Sequence, residues 1–406
     1  MGDLFDIGKM GISAYKDALA TTGQNIANVD TEGYSRRDVA IEEQSSSSAD
    51  TVSISNRSGL GVRVGDITRA FDQFLDIKLQ NATSSYSFAQ SKSEVFEQLE
   101  TTLIPLNATV GTRLREFFDG LSNLARDPDD TNLRRLALAG ANALSTSMSG
   151  LHTGLTDLRT VTHGTLELTT ADFNSTLSNL SQVQREILGN SVKSGAPHAL
   201  LDQRDKLLEE LSEFGDISVD YEANGSVTVS LGKHGAVGAL IEGATFNQII
   251  VKPEMDGVQT FVKDNFGVSS NIYFSSGQMA GLISADVAIA ETISGLDKLA
   301  QKFVTEMNSI HGMGLDKDGE RGEKLFGLES ASITHFPTNL GTALMRVEGY
   351  ATELSGSTLN VVFDGESDTW KVSSEPEGIS SEFKTELELK GLSIMIEGTP
   401  QNGDSF

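Results

Sequence analysis

Two apolar stripes, both with the spacing of an α-helix, limit this chain most severely. In the first, Leu144, Leu151 and Leu158 stand seven apart with Met148 and Leu155 between them. Past a weak point at His163-Gly164 it resumes at Leu166, Phe173, Leu180 and Ile187. In the second, Ile289, Ile293, Leu296, Ala300, Phe303, Met307 and Ile310 keep steps of four and three up to Gly312. Residues 70–214 read as helical with few interruptions. Leu114, Phe117, Phe118, Leu121 and Leu124 add another apolar face, ended by Asp127-Pro128-Asp129-Asp130. Such lengths predict rod-like helices side by side, with 70–214 and 278–311 in one elongated bundle and the 144–187 stripe covering the 289–310 stripe.

Elsewhere the period changes to two. Ile217, Val219 and Tyr221 alternate before Asn224-Gly225, and Val227, Val229 and Leu231 after it, which predicts a hairpin. Further strands are expected near 246–251, 258–263, 271–274, 359–363, 369–372, 387–389 and 392–396. The polar run 45–50 reads as a loop. The expected class is α+β, an elongated helical bundle or coiled-coil rod with inserted β-rich segments. Its expected divisions are an N-terminal helix, motif and linker (1–80), a helical rod (81–214), a β-rich excursion (215–275), a long helix returning to the rod (276–330) and an incomplete β-rich outer domain (331–406).

Composition narrows the chemistry. Against 57 acidic residues stand 31 basic ones, a formal net charge of −26, so phosphate backbones are repelled and nucleic acid is not an expected partner. The absence of cysteine excludes disulfides, a thiol nucleophile and thiolate metal sites. No run approaches the roughly 18 consecutive apolar residues of a membrane span, and the first residues lack the basic start and apolar core of a cleaved signal. His152, His163, His198, His234, His311 and His335 are scattered and form no close ligand pair. The glycines of Gly59-Leu60-Gly61-Val62 sit in a short strand pattern rather than a dinucleotide fingerprint. Asp316-Lys317-Asp318-Gly319-Glu320 has Arg321 and Gly327 where a calcium loop needs Gly and Glu, and reads as a surface turn. Asp202 and Asp205, beside Arg204 and Lys206, read as a salt-bridged helix face rather than a catalytic carboxylate pair. These readings predict no enzyme, no metal and no cofactor.

The N-terminus carries a third stripe. Phe5, Ile12, Leu19 and Ile26 stand seven apart, with Gly8, Tyr15, Thr22 and Val29 interleaved. Asn25 and Asn28 bring amides to the helix end, and Asp30-Thr31-Glu32-Gly33 reads as a turn with Gly33 at positive φ. The run Gln24-Asn25-Ile26-Ala27-Asn28-Val29-Asp30-Thr31-Glu32-Gly33-Tyr34 resembles the signature of the bacterial flagellar axial proteins (rod, hook and hook-associated), Asn-Asn-Leu-Ala-Asn-x-x-Thr-x-Gly-Tyr. It departs from that pattern at Gln24, Ile26 and Glu32. Gly59, Gly61, Val62, Arg69, Phe71 and Asp72 match the family's linking element. Leu200-Leu201-Asp202-Gln203-Arg204-Asp205-Lys206-Leu207 resembles an element of the hook-associated protein 1 family.

The resemblance implies a structural subunit at the junction of hook and filament, extracellular and exported by the flagellar type III apparatus with a chaperone. It implies self-association in a ring or helical assembly, with hook protein and a second junction protein as neighbours. The motif residues carried over are Asn25, Asn28, Thr31, Gly33, Tyr34 and Arg36. Tyr34 and Arg36 are expected to project for assembly, with the alternative that Tyr34 caps the seam. The seam of Phe5, Ile12, Leu19 and Ile26 is expected to pair with a C-terminal helix not present here. Residues 4–29 are then expected to be mobile in a monomer, and the chain to be a fragment or truncation. The competing readings are another axial protein (hook or distal rod) and an acidic glycosidase.

Overall fold

A computed structural model describes residues 2–43, 61–104, 109–194, 197–232, 238–254, 257–316, 318–327, 333–334, 336, 339–349, 358–375, 379–389 and 392–406. The expected loop 45–50, Gly59, Lys317, His234 and His335 lie outside the described residues. The class is α+β, with six helices and several small sheets among the described residues. The chain divides into two compact units, residues 1–95, 162–253 and 258–285 in the first and 96–161, 254–257 and 286–406 in the second. These divisions cut across those expected from sequence, because three helices pass from one unit into the other.

The first unit begins with α1 (Gly2–Ala27), followed by strands β1 (Arg37–Glu43) and β2 (Val62–Arg69), which pair antiparallel. Helix α2 (Gln73–Leu103) leaves this unit after Val95. Helix α4 (Thr131–Ser194) enters it at Thr162 and runs without a break through His163-Gly164, where sequence predicted a weak point. One helical glycine costs only about 1 kcal/mol, which the packing of a 64-residue helix absorbs. Helix α5 (His198–Phe214) leads into β3 (Ile217–Tyr221) and β4 (Val227–Leu231), the predicted hairpin, with Gly225 at φ 86°. Strands β5 (Ala239–Glu242) and β6 (Thr245–Phe246) complete that four-stranded sheet. Strands β7 (Gln248–Glu254), β8 (Gly257–Lys263) and β9 (Ser269–Ile272) form another.

The expected partner of the long α4 stripe needs correction. Leu166, Phe173, Leu180 and Ile187 are all buried, but their cover is local to this unit. Phe173 stacks on Phe214 of α5 at 5.5 Å and meets Phe274 at 6.0 Å. Gln184 joins the backbone of Val227 on both sides of its amide, and Ser181 donates to Ala244 O at 2.8 Å. Along residues 166–187 the β excursion and α5 occupy the place assigned to the 289–310 stripe, whereas Leu144, at the other end of the α4 stripe, does pack with Phe303 and Met307.

In the second unit, helix α3 (Val110–Arg126) starts at Thr109, whose hydroxyl accepts from Thr112 N at 3.2 Å, an N-cap. Phe117 of α3 and Leu144 of α4 form a core with Phe303 and Met307 of helix α6 (Gly277–Met313) and with Phe326. Asn308 fixes the returning chain, donating to Phe326 O and accepting from Leu325 N, both at 2.8 Å. The heptad of α6 is buried at Ile289 and only partly covered beyond it, ending with an exposed Ile310. An 18-residue window of α6 has mean hydropathy 1.4, apolar enough by composition to cross a membrane. Yet Asp286, fully buried, lies within this helix and takes Arg159 Nε at 2.9 Å.

The same unit carries β10 (Leu344–Gly349), β11 (Thr358–Asp364), β12 (Thr369–Glu375), β13 (Ile379–Phe383), β14 (Glu386–Leu389) and β15 (Leu392–Glu397). They form two three-stranded sheets, ordered β10-β15-β14 and β11-β12-β13. Trp370, Val361, Val372, Ile394 and Phe406 are buried together between them. Asp404 accepts from the backbone N–H groups of Leu340, Gly341 and Gln401 and so fixes the entry to β10.

Candidate assembly interface

Helix α1 turns its large apolar residues outward. Its inward face is built of small residues, with Ala14 and Thr21 buried, and Met10 lies against Gly61 at the start of β2. Phe5, Ile12, Leu19 and Ile26 point away and are between 70 and 76% exposed. Among the described residues nothing covers this seam.

The helix ends where the amides begin. Asn28 Nδ2 donates to Gln24 O at 2.8 Å, and Thr31 N donates to Asn28 O at 3.0 Å. Gly33 takes φ 77°, and a Cβ there would stand 3.1 Å from Lys206 Cβ. Asn25 then ties the returning chain to the helix. Its Nδ2 donates to Arg37 O at 2.8 Å, and its Oδ1 accepts from Arg37 N at 3.0 Å and from Tyr34 Oη at 2.8 Å. Tyr34 therefore turns back onto α1 through Asn25 instead of projecting, and it leaves the apolar seam uncovered. Arg36 stays on the surface with Asp38 at 3.0 Å.

Strand pairing sets Arg37 directly opposite Arg69. Two like charges so placed repel, and α5 supplies the compensation. Arg69 Nη2 lies 2.6 Å from Asp205 Oδ2 and 2.8 Å from Asp202 Oδ1, and also donates to Ser35 Oγ at 3.1 Å. Asp202 Oδ1 has this ion pair but no aligned hydrogen bond, and Arg37 Nε and Arg69 Nε are likewise buried without one among the described residues. Arg37 reaches Asp202 Oδ2 at 3.5 Å. Arg204 binds Asp205 Oδ1 through Nε at 2.8 Å and donates through Nη1 to Gly225 O in the β3–β4 turn at 2.5 Å. The Arg69 side chain is only 6% exposed and that of Arg204 4%, so the charges are compensated by one another rather than by water.

Arg69, Phe71 and Asp72 of the linking element each have a task here. Arg69 clamps α5, Phe71 packs on Tyr221 at 5.6 Å between ring centres, and Asp72 Oδ1 accepts from Phe74 N at 2.9 Å to cap α2. Tyr221 Oη donates to Asp76 Oδ2 at 2.7 Å. Burial raises the pKa of Asp76, with the Tyr221 hydrogen bond opposing. Burial and then Asp76 itself push the Tyr221 hydroxyl up. Glu209 is also raised, by burial first and then by Asp76 and Glu32. Lys206 pairs with Glu32 at 2.9 Å at the rim.

Sequence reading placed Asp202 and Asp205 on a salt-bridged face but looked for partners on the same helix. Arg37, Arg69, Asp76 and Tyr221 were missed as its members. Among the described residues no group of His, Asp or Glu is arranged to hold a metal ion.

The family described as flagellar hook-associated protein FlgK helical domain matches residues 96–326, more than half of the chain. The chain belongs to the FlgK family. Members of this family are hook-associated junction proteins of the flagellum. Flagellar hook-associated protein 1 of Bacillus subtilis (strain 168) is 25% identical over 347 residues, covering 78% of this chain and 68% of the relative. Its Salmonella typhimurium (strain LT2) counterpart is 24% identical over 421 aligned positions, covering 100% of this chain and 74% of the relative. The structure of the flagellar hook junction protein FlgK from Burkholderia pseudomallei has the same fold, with TM-score 0.58 and 22% identity over 81% of this chain. This chain spans 61% of that one. The FlgK helical-domain match contains Asp202, Arg204 and Asp205, while the hairpin that clamps onto them precedes it.

Proposed function

We propose that this chain is a structural subunit that assembles on the distal end of the hook and lets the filament attach. The observation that carries the reading is α1: its apolar seam faces outward while Asn25 ties its base to a hairpin that buried ion pairs fix to α5. A stripe of that size left to solvent marks a surface meant for other protein. Hook protein is the neighbour below and a second junction protein the neighbour above, with copies of the chain joined through unlike surfaces in a ring or helical assembly. Export runs through the flagellar type III apparatus with a chaperone and without a cleaved signal.

The work is packing, not catalysis, and needs no cofactor or metal. Asn25, Asn28, Thr31, Gly33 and Tyr34 set the base of α1, and the solvent-facing Arg36 is the motif residue open to a neighbour. The functional divisions follow the sequence: 1–80 for the terminal helix and its clamp, 81–214 with 276–330 for the helical body, 215–275 and 331–406 for the β-rich additions.

Deleting the gene in its own strain and restoring the complete chain tests this. Electron microscopy is expected to show hooks without filaments in the deletion and filaments again on restoration. Filaments attached normally in the deletion strain overturn it.

A further inference from the structure

We infer that Asp286 keeps the α6 segment out of the lipid bilayer while the chain is still unfolded. This role goes beyond the junction reading and does not depend on it.

Periodicity puts a charge where none belongs. The apolar seam of Ile289, Ile293 and Leu296 extends toward the helix start by steps of three and four, through position 286 to Leu282 and Met279. Met279, Leu282 and Ile289 are buried, and so is Asp286, at 0% exposure. An apolar side chain at 286 would continue the seam. The carboxylate there is held instead by Arg159 of α4, whose Nε donates to Oδ1 at 2.9 Å and whose Nη2 donates to Oδ2 at 3.4 Å.

Stability does not account for this pair. Taking both charges out of water costs about what their attraction returns, and well-packed apolar residues of similar size hold such a site as well or better. A polar group on a seam also sets helix register, but that role belongs to the folded state.

The composition of α6 points to an earlier moment. By length and composition this helix is apolar enough to cross a membrane. Residues 279–296 are long enough to span a bilayer, which takes about 17–25, and carry two charged side chains, Asp286 and Glu291. Neither lies near an end, and a carboxylate stem is too short to reach the headgroups from there. At the centre of a helix, aspartate is among the residues that membrane insertion tolerates least. Before folding, Arg159 is 127 positions away along the chain and offers no compensation. The same carboxylate thus deters lipid in the unfolded chain and is a compensated charge in the folded one.

The complete chain, translated in a cell-free system with inverted vesicles of bacterial inner membrane, tests this. The measured quantity is the chain that floats with the vesicles after alkaline extraction, a fraction that excludes aggregates and peripheral protein. The parent is expected to stay behind. Asp286→Leu with Arg159→Leu is expected to raise the ratio of inserted to free chain about a hundredfold. Arg159→Leu alone breaks the same ion pair but leaves the carboxylate in the segment, so it is expected to stay behind even where it fails to fold. A parent that floats, or a double variant that does not, overturns the inference. Arg159→Leu floating as much as the double variant overturns it too, since lost folding would then be the cause. None of these outcomes touches the junction reading, because the assay holds no flagellum.

Discussion

Arg69 and Asp205 meet at 2.6 Å across 136 positions of sequence, and both are largely buried. This one pair closes the N-terminal hairpin onto α5. With Asp202 and Arg204 it makes a compensated cluster, stable only while its members stay together.

Arg69→Met should therefore be costly. It leaves Asp202 and Asp205 buried with too little positive charge, a loss of about 3–5 kcal/mol. Adding Asp205→Asn should recover part of that, because the second change removes the surplus charge. Chemical denaturation of the single and double variants checks both. A single variant as stable as the parent would show that the cluster does not hold the hairpin.

Tyr34→Phe removes one hydrogen bond to Asn25 and should cost about 1 kcal/mol, whereas Asn25→Ala removes three and should cost more. Hydrogen exchange should localise the effect, with amides near residues 21–37 exchanging faster while those of α5 are unchanged. In the parent monomer, exchange should be fastest at the start of α1, where the seam is bare, and slow toward Asn25. Uniform slow exchange from residue 4 onward would mean that the seam has found cover.

Gly33→Ala tests the turn. An L residue at φ 77° costs roughly 1–2 kcal/mol, and its Cβ would press on Lys206 at 3.1 Å. Asn at the same position tolerates positive φ better and should lose less. Thermal melts that rank Ala above Asn would count against a left-handed requirement here.

Acid should act oppositely on the two units. Asp364 is lowered to about 2 by the Lys371 hydrogen bond and the N–H of Glu366. Asp404 is also lowered: burial raises it, but the N–H groups of Gln401, Leu340 and Gly341 outweigh burial. Their contribution is complete above the ordinary 3.8 and is lost as pH falls from there to about 2. Asp76 is raised by burial, so its contribution is present below 3.8 and is lost as pH rises through its shifted value. Trp370, the only tryptophan, sits in the C-terminal β core. Its fluorescence should report a loss of stability in that acid window, with a shallower pH slope in Asp404→Asn. An equal slope in both proteins would remove Asp404 from the account.

What could be read from the sequence was local. The α6 heptad, the α4 stripe and the Asn224-Gly225 hairpin announce themselves through spacing within a few turns or strands. Partner choice is not local, and there the reading held only in part: Leu144 packs with Phe303 and Met307 of α6 as expected, but α5 and the β excursion cover residues 166–187, where Phe173 meets Phe214 and Gln184 meets Val227. Strands β1, β5, β10 and β13 went unread, being short or interrupted by charge; in β10 only Met345 and Val347 alternate inward. The clamp was half visible, as opposite charges in separate segments with nothing in the order of residues to say that they meet.

Asp205 is held by two arginines that come from different places, Arg69 from the terminal hairpin and Arg204 from its own helix. Arg204 in turn grips the carbonyl of Gly225 in the β3–β4 turn. Tension on α1 thus reaches α5 at two carboxylates, Asp202 and Asp205, and through Arg204 it is shared with the β3–β4 turn. Arg37 of β1 and Arg69 of β2 both reach Asp202, so the two strands of the hairpin are held to α5 together. For a subunit at the joint of a rotating organelle, that arrangement turns a weakly covered terminal helix into a cable end anchored at two points.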